Sequence, residues 1–139
     1  MWCPYQQGLI DEIKDIQRRF CRLFRDLRQL DYKNRLNKLK LLKLSSRRLR
    51  YKLIFVYKML NGLVNLDFEE YFSFSVRNPC RTNPYAIIAK RTKTSTKYNV
   101  FTSDVVKHWN KLTYFEVSAP TLNDFQHRLT NYFRINDIW

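Results

Sequence analysis

Between Leu9 and Leu30 the chain has neither glycine nor proline, and Ile13, Ile16, Phe20, Leu23, Leu27 and Leu30 recur at alternating spacings of three and four. Only a helix brings such residues onto one side, so this stretch is expected to be a single helix with an apolar seam turned to a core. At about 100° per residue, Lys14, Arg18, Arg22 and Arg25 fall on the far side within a strip about 80° wide. One face is then apolar and the other is cationic.

Further helices follow by the same reading. Asp31 can cap a second, from Tyr32 to about Leu42, with Leu36 and Leu39 inward and Lys33, Arg35, Lys38 and Lys40 on its other side. Ser45 or Ser46 opens a third that runs to Leu60 with Leu49, Leu53, Val56, Tyr57 and Leu60 as its stripe. Asn61-Gly62 stops it. Arg47, Arg48, Arg50 and Lys52 crowd its first turns, where the helix dipole disfavours cations, which suggests contacts outside the helix.

Beyond Gly62 the spacing predicts a short helix over 68–72, a loop over 75–84, and a hairpin of Tyr85–Lys90 with Lys97–Phe101 around a basic RTKTST tip. Ser103 caps a helix to Leu112 that buries Val105, Val106 and Trp109. Pro120-Thr121 starts a last one, with Thr121 and Asp124 at capping-box spacing and Phe125, Leu129, Tyr132 and Phe133 inward. The expected fold class is mainly α: a helical bundle of about five to six helices with a small β-hairpin insertion.

Charge narrows the partners. Of 139 residues, 26 are Lys or Arg and 12 are Asp or Glu, a net +14 with histidines neutral. Residues 1–61 hold 16 of the cations and 5 of the acids. A local excess of this size points to nucleic acid first and an anionic membrane surface second. No apolar run approaches the roughly 18 residues of a membrane span, and MWCPYQQGLIDE lacks the order of a signal peptide. Cys3, Cys21 and Cys80 are too scattered for a disulfide framework or a zinc site. An intracellular location, nucleus or cytoplasm, is expected.

The motifs for catalysis are missing. Gly8 and Gly62 are the only glycines, so no phosphate-cradling loop exists. His108 and His127 lack companions at ligand spacing. Asp11-Glu12 and Glu69-Glu70 are adjacent acid pairs, but helix neighbours diverge too far to share an ion. Asp11, Glu12 and Asp15 suit a helix start. Cys21 lies near cations but has no base at recognisable spacing. What remains is binding: guanidiniums at Arg18, Arg22 and Arg25, then Arg47, Arg48 and Arg50, for phosphates, with Lys14, Arg19, Lys52, Arg91 and Lys93 as further contacts. Tyr85, Tyr98 and Phe101 could stack on unpaired bases, or simply pack on the helices.

Several segments resemble one family in order. EIKDIQRRFCRLF (residues 12–24) resembles the Q-R-R-F-T-R segment downstream of the polymerase palm in reverse transcriptases of non-LTR (LINE, jockey-like) retrotransposons. LDYKNRLNKL (30–39), RRLRYKLIFVYKMLNGLV (47–64), NVFTSDVVKHWNKL (99–112) and VSAPTLNDFQHRL (117–129) follow in the family's order. MWCPY is similar to its P-V-W-x-P-Y lead-in. Lys52 stands where the family often has Asp, Cys21 where Thr is usual, and Thr113 where Leu-Pro follows the Trp-Asn.

The resemblance implies a thumb-like region over 1–62 and a post-thumb region over 63–139, packed as one compact unit, with the hairpin at about 85–101 and two C-terminal helices. It implies a catalytically incomplete part of an RNA-directed DNA polymerase that binds RNA or RNA–DNA duplex. The family's Y-x-D-D acids, and the Mg they hold, belong to a palm domain that would be a partner. No enzyme activity of its own, no cofactor, no membrane and no small-molecule substrate are expected. The alternatives are a helical protein–protein module and an inert pseudogene product.

Overall fold

The computed structural model of the protein describes residues 6–75, 84–90 and 96–136, and of 96–100 the backbone alone. The described residues form seven α-helices, one 3-10 turn and a small two-stranded antiparallel sheet, so the fold is mainly α. Backbone contacts divide the chain into two units, residues 1–48 and 49–138, with the break inside the third helix.

The first unit begins with α1 (Gln7–Arg22), followed by the 3-10 turn Arg25–Leu27 and α2 (Tyr32–Lys38). The helix expected to reach Leu30 stops at Arg22. Phe24 is extended, and the Arg28 guanidinium donates from Nε to the Arg22 carbonyl at 3.2 Å. A straight continuation would have set Leu27 on the stripe of Ile16 and Phe20. The break buries it instead, along with Cys21 and Leu36.

That stripe corrects a second expectation. Ile16 is 67% exposed, Phe20 49% and Leu23 71%, so the seam does not face a core. The packed side is Lys14, Gln17 and Cys21, with Ile13 half-buried at its edge, and Gln17 meets Tyr32 of α2. Gln17 decides the orientation: its Nε2 donates to the Leu42 carbonyl at 3.0 Å, and its Oε1 accepts from the Tyr32 hydroxyl at 2.8 Å. Those bonds hold a polar residue inward and rotate the apolar stripe outward.

Asp31 caps α2 as expected, accepting from the Lys33 N–H. The helix ends at Lys38, short of Leu42, because Lys40 turns left-handed at φ 53° and the Leu41 N–H closes on the Leu36 carbonyl at 2.9 Å.

In the second unit, α3 (Leu44–Leu60) contributes Leu53, Ile54, Val56, Tyr57 and Met59 to the core and stops at Gly62, whose φ of 64° favours glycine. Asp67 caps α4 (Phe68–Tyr71), accepting from the Glu69 N–H at 2.9 Å. Then come β1 (Phe72–Phe74), β2 (Ile87–Ala89), α5 (Thr96–Trp109), α6 (Tyr114–Val117) and α7 (Leu122–Ile135). The Tyr57 ring stacks on Phe125 at 4.3 Å, and its hydroxyl donates to the Ala119 carbonyl at 2.7 Å.

The hairpin is also corrected. Ile87–Ala89 is a strand, but it pairs with Phe72–Phe74, in the register Phe72↔Ala89, Ser73↔Ile88, Phe74↔Ile87. Residues 97–101 belong to α5. Helical period wins there: Phe101, Val105 and Trp109 repeat every fourth residue, and Phe101 meets the Phe55 ring at 6.4 Å. Thr121 caps α7 as the spacing predicts, accepting from the Asp124 N–H at 3.1 Å. Short α6 was not expected. Its box is Thr113 with Glu116, whose Oε2 accepts from the Thr113 N–H at 2.7 Å.

Candidate polyanion-binding surface

In the first unit the cations sort by what holds them. Lys14 pairs with Asp11 at 3.0 Å and Arg18 with Asp15 at 2.9 Å, each one helical turn back. The Lys14 hydrogen bond, then that of Gln7, holds the Asp11 carboxyl below its ordinary value. Arg18 also lies over the Tyr32 ring, 5.7 Å from its centroid. Such exposed pairs contribute little to stability, so a phosphate can compete for either cation.

Arg19, Arg22 and Arg25 are exposed and have no ion pair among the described residues. Arg19 and Arg22 lie in the last turn of α1, where the dipole favours cations. Arg28 and Arg35 are tied to backbone instead. Arg35 donates from Nε to the Leu30 carbonyl at 2.8 Å, and Arg28 holds the end of α1. On α3, Arg47 is exposed and Arg48 is half-buried; no acid occupies the first turn.

In the second unit, Arg50 lines an open polar groove of about 430 Å³ with Asn123, Gln126, His127, Thr130, Asn131 and Arg134. Lys52 faces inward: its side chain is 13% exposed and its Nζ lies 2.7 Å from Asp104. This bond joins α3 to α5, so Lys52 serves the fold rather than the outward surface. Asp104 also lies 3.8 Å from the His108 Nε2. Burial nonetheless pushes the His108 imidazole below its ordinary value, outweighing Asp104, which raises it. Arg91, Lys93, Cys3, Cys80 and most of the RTKTST tip lie outside the described residues.

Cys21 differs from what its cationic neighbours suggest. It is fully buried, and burial raises its thiol pKa against the smaller, opposing effect of Arg35. A neutral, enclosed thiol is not a nucleophile. Among the aromatics, Tyr85 stacks near-parallel on Tyr114 at 6.3 Å, both rings exposed, while Phe101 is half-buried.

Comparison with known protein families, curated proteins and solved structures gives no match.

The charge surface extends past the arginines singled out by helical phase. From Tyr32 to Leu66 the sequence has ten Lys or Arg and no Asp or Glu. Lys33, Lys38 and Lys40 in this run are exposed. A scan for acid-free windows would have found them. Reasoning by helix face set them on the outer side of α2 but did not count them among the phosphate contacts, because α2 is too short for a marked cationic stripe.

Proposed function

We propose that the chain binds RNA or an RNA–DNA duplex, without sequence preference, as the thumb-like and post-thumb part of a retroelement-type reverse transcriptase. The exposed cations Arg19, Arg22, Arg25, Lys38 and Lys40 carry this reading, the two lysines standing in a stretch from Tyr32 to Leu66 that has no Asp or Glu. Phosphate contact requires clustered cations whose charge is not cancelled nearby. Arg19, Arg22, Arg25, Lys38 and Lys40 supply them in the first unit, with Arg18 available once it leaves Asp15. Guanidiniums grip phosphate oxygens in pairs, while the lysines act as mobile point charges. The ordered likeness of five segments to the retroelement family selects the kind of nucleic acid.

Fluorescence anisotropy on a short labelled RNA–DNA duplex, repeated at several salt concentrations, tests the reading. With about five phosphates neutralised, log affinity should fall against log salt with a slope near −4 to −5. A flat salt response, or no binding at low salt, would overturn it.

A second reading, a helical protein–protein module, is favoured by one observation. The α1 stripe of Ile16, Phe20 and Leu23 is exposed where a monomer would be expected to bury it.

A further inference from the structure

We infer that α1 is a self-association surface, pairing antiparallel with the α1 of a second copy of this chain. Its exposed apolar line is Leu9, Ile16, Phe20 and Leu23, with Ile13 half-buried beside it. This is the three–four spacing of a two-helix seam, displayed on the outside of the unit. The inference shares only Arg19 and Arg22 with the nucleic-acid reading, and its readout, the mass of the nucleic-acid-free protein, does not depend on that reading.

Charge along the helix names the occupant. Lys14 and Arg18 are already paired with Asp11 and Asp15, which among the described residues leaves Glu12 as the unpaired acid toward the start of α1 and Arg19 and Arg22 as unpaired cations at its end. A parallel copy would set like ends together. An antiparallel copy sets Glu12 of each helix toward the basic end of the other, and a two-fold axis makes the contact close on itself. In that pairing Leu9 meets the partner's Phe20 and Ile13 meets the partner's Ile16, each contact occurring twice.

The edges of the seam fix the register. One edge is already occupied, because Gln17 is bonded to the Leu42 carbonyl and the Tyr32 hydroxyl. The open edge carries Glu12 and Arg19, one heptad apart. Both are exposed, and neither has an ion pair among the described residues. Antiparallel pairing with Leu9 against the partner's Phe20 brings Glu12 beside the partner's Arg19 on both sides of the axis. Residues in these flanking positions set orientation in helix pairs. A single helix pair is smaller than a standard protein interface, so the dimer is a weak one that forms with rising concentration.

Sedimentation velocity on the nuclease-treated, nucleic-acid-free protein across a dilution series reads the result. The weight-average mass should rise from one chain toward twice that value as concentration increases. I16S/F20S should hold it at the monomer, with helix content by circular dichroism unchanged because both side chains are exposed. E12R sets like charges opposite each other, as does R19E, and each should weaken the dimer about tenfold. The double variant E12R/R19E should restore it. A monomer at every concentration overturns the inference; so does a dimer that the single charge reversals leave unchanged or that the double variant fails to restore.

Discussion

Asn110, at the end of α5, holds both polar backbone atoms of Ile87. The Ile87 N–H donates to Oδ1 at 2.9 Å, and Nδ2 donates to the Ile87 carbonyl at 2.9 Å. One side chain thereby completes the hydrogen bonding of a strand residue that is itself fully buried. Asn110→Ala leaves two backbone groups without partners in a poorly hydrated place, so it should destabilise the protein by about 1–3 kcal/mol. The contrast is Asn61→Ala: Asn61 is exposed, and the Tyr57 carbonyl that accepts from its Nδ2 also accepts from the residue 61 backbone N–H at 3.1 Å, so no group is orphaned and stability should change by less than about 0.5 kcal/mol. Urea unfolding of both variants checks the difference.

The Cys21 thiol should be a reporter of the first unit. It is buried with a raised pKa, so in the native chain it should alkylate far more slowly than an exposed thiol. In a C3S/C80S background, pulse labelling with iodoacetamide followed by mass spectrometry should show modification only as urea opens this unit. Rapid labelling without denaturant would mean that α1 and α2 separate readily.

His108 gives a pH dependence whose sign follows from its burial. Its folded pKa lies below the ordinary 6.5, so the unfolded chain binds the proton more readily. Stability is then fully present above about pH 6.5 and is lost as pH falls from there toward the depressed folded value. Thermal melts should drop over that interval, and His108→Gln should flatten that part of the curve. Lys52 is one of the cations that lower the imidazole, so Lys52→Met should move the His108 titration upward in an NMR series.

The parts of this fold that local chemistry decides could be read from the residues. Asp31 before Tyr32, Gly62 after Asn61 and Thr121 three before Asp124 each satisfy orphaned groups within one turn, and each does so in the structure. The parts decided by distant partners could not. No pattern within α1 says that Gln17 will reach Leu42, 25 residues on, and so turn Ile16, Phe20 and Leu23 outward. Likewise Ile87 to Ala89 looks like a strand, but its mate lies before the loop rather than after it. The candidate surface was partly legible for the same reason. Positive charge is visible in composition, whereas the burial of Lys52 against Asp104 depends on a residue 52 positions away.

Arginines that look alike in sequence should separate by experiment. Arg22 and Arg25 are exposed with no ion pair among the described residues, so R22A and R25A should leave stability within about 0.5 kcal/mol of the parent. Each should reduce the salt slope of duplex binding by about 1. Arg35 is half-buried and donates to the Leu30 carbonyl at 2.8 Å, so R35A should cost about 1.5–3 kcal/mol. Its slope, measured where the protein is still folded, should stay close to the parent's. Lys52→Met should behave like R35A in this respect, because its ammonium is engaged with Asp104. Anisotropy titrations paired with urea unfolding place each variant on both axes. If R22A and R25A lost stability and kept the parent slope, the outward arginines would be structural, and the phosphate contacts would have to come from the lysines of the acid-free run.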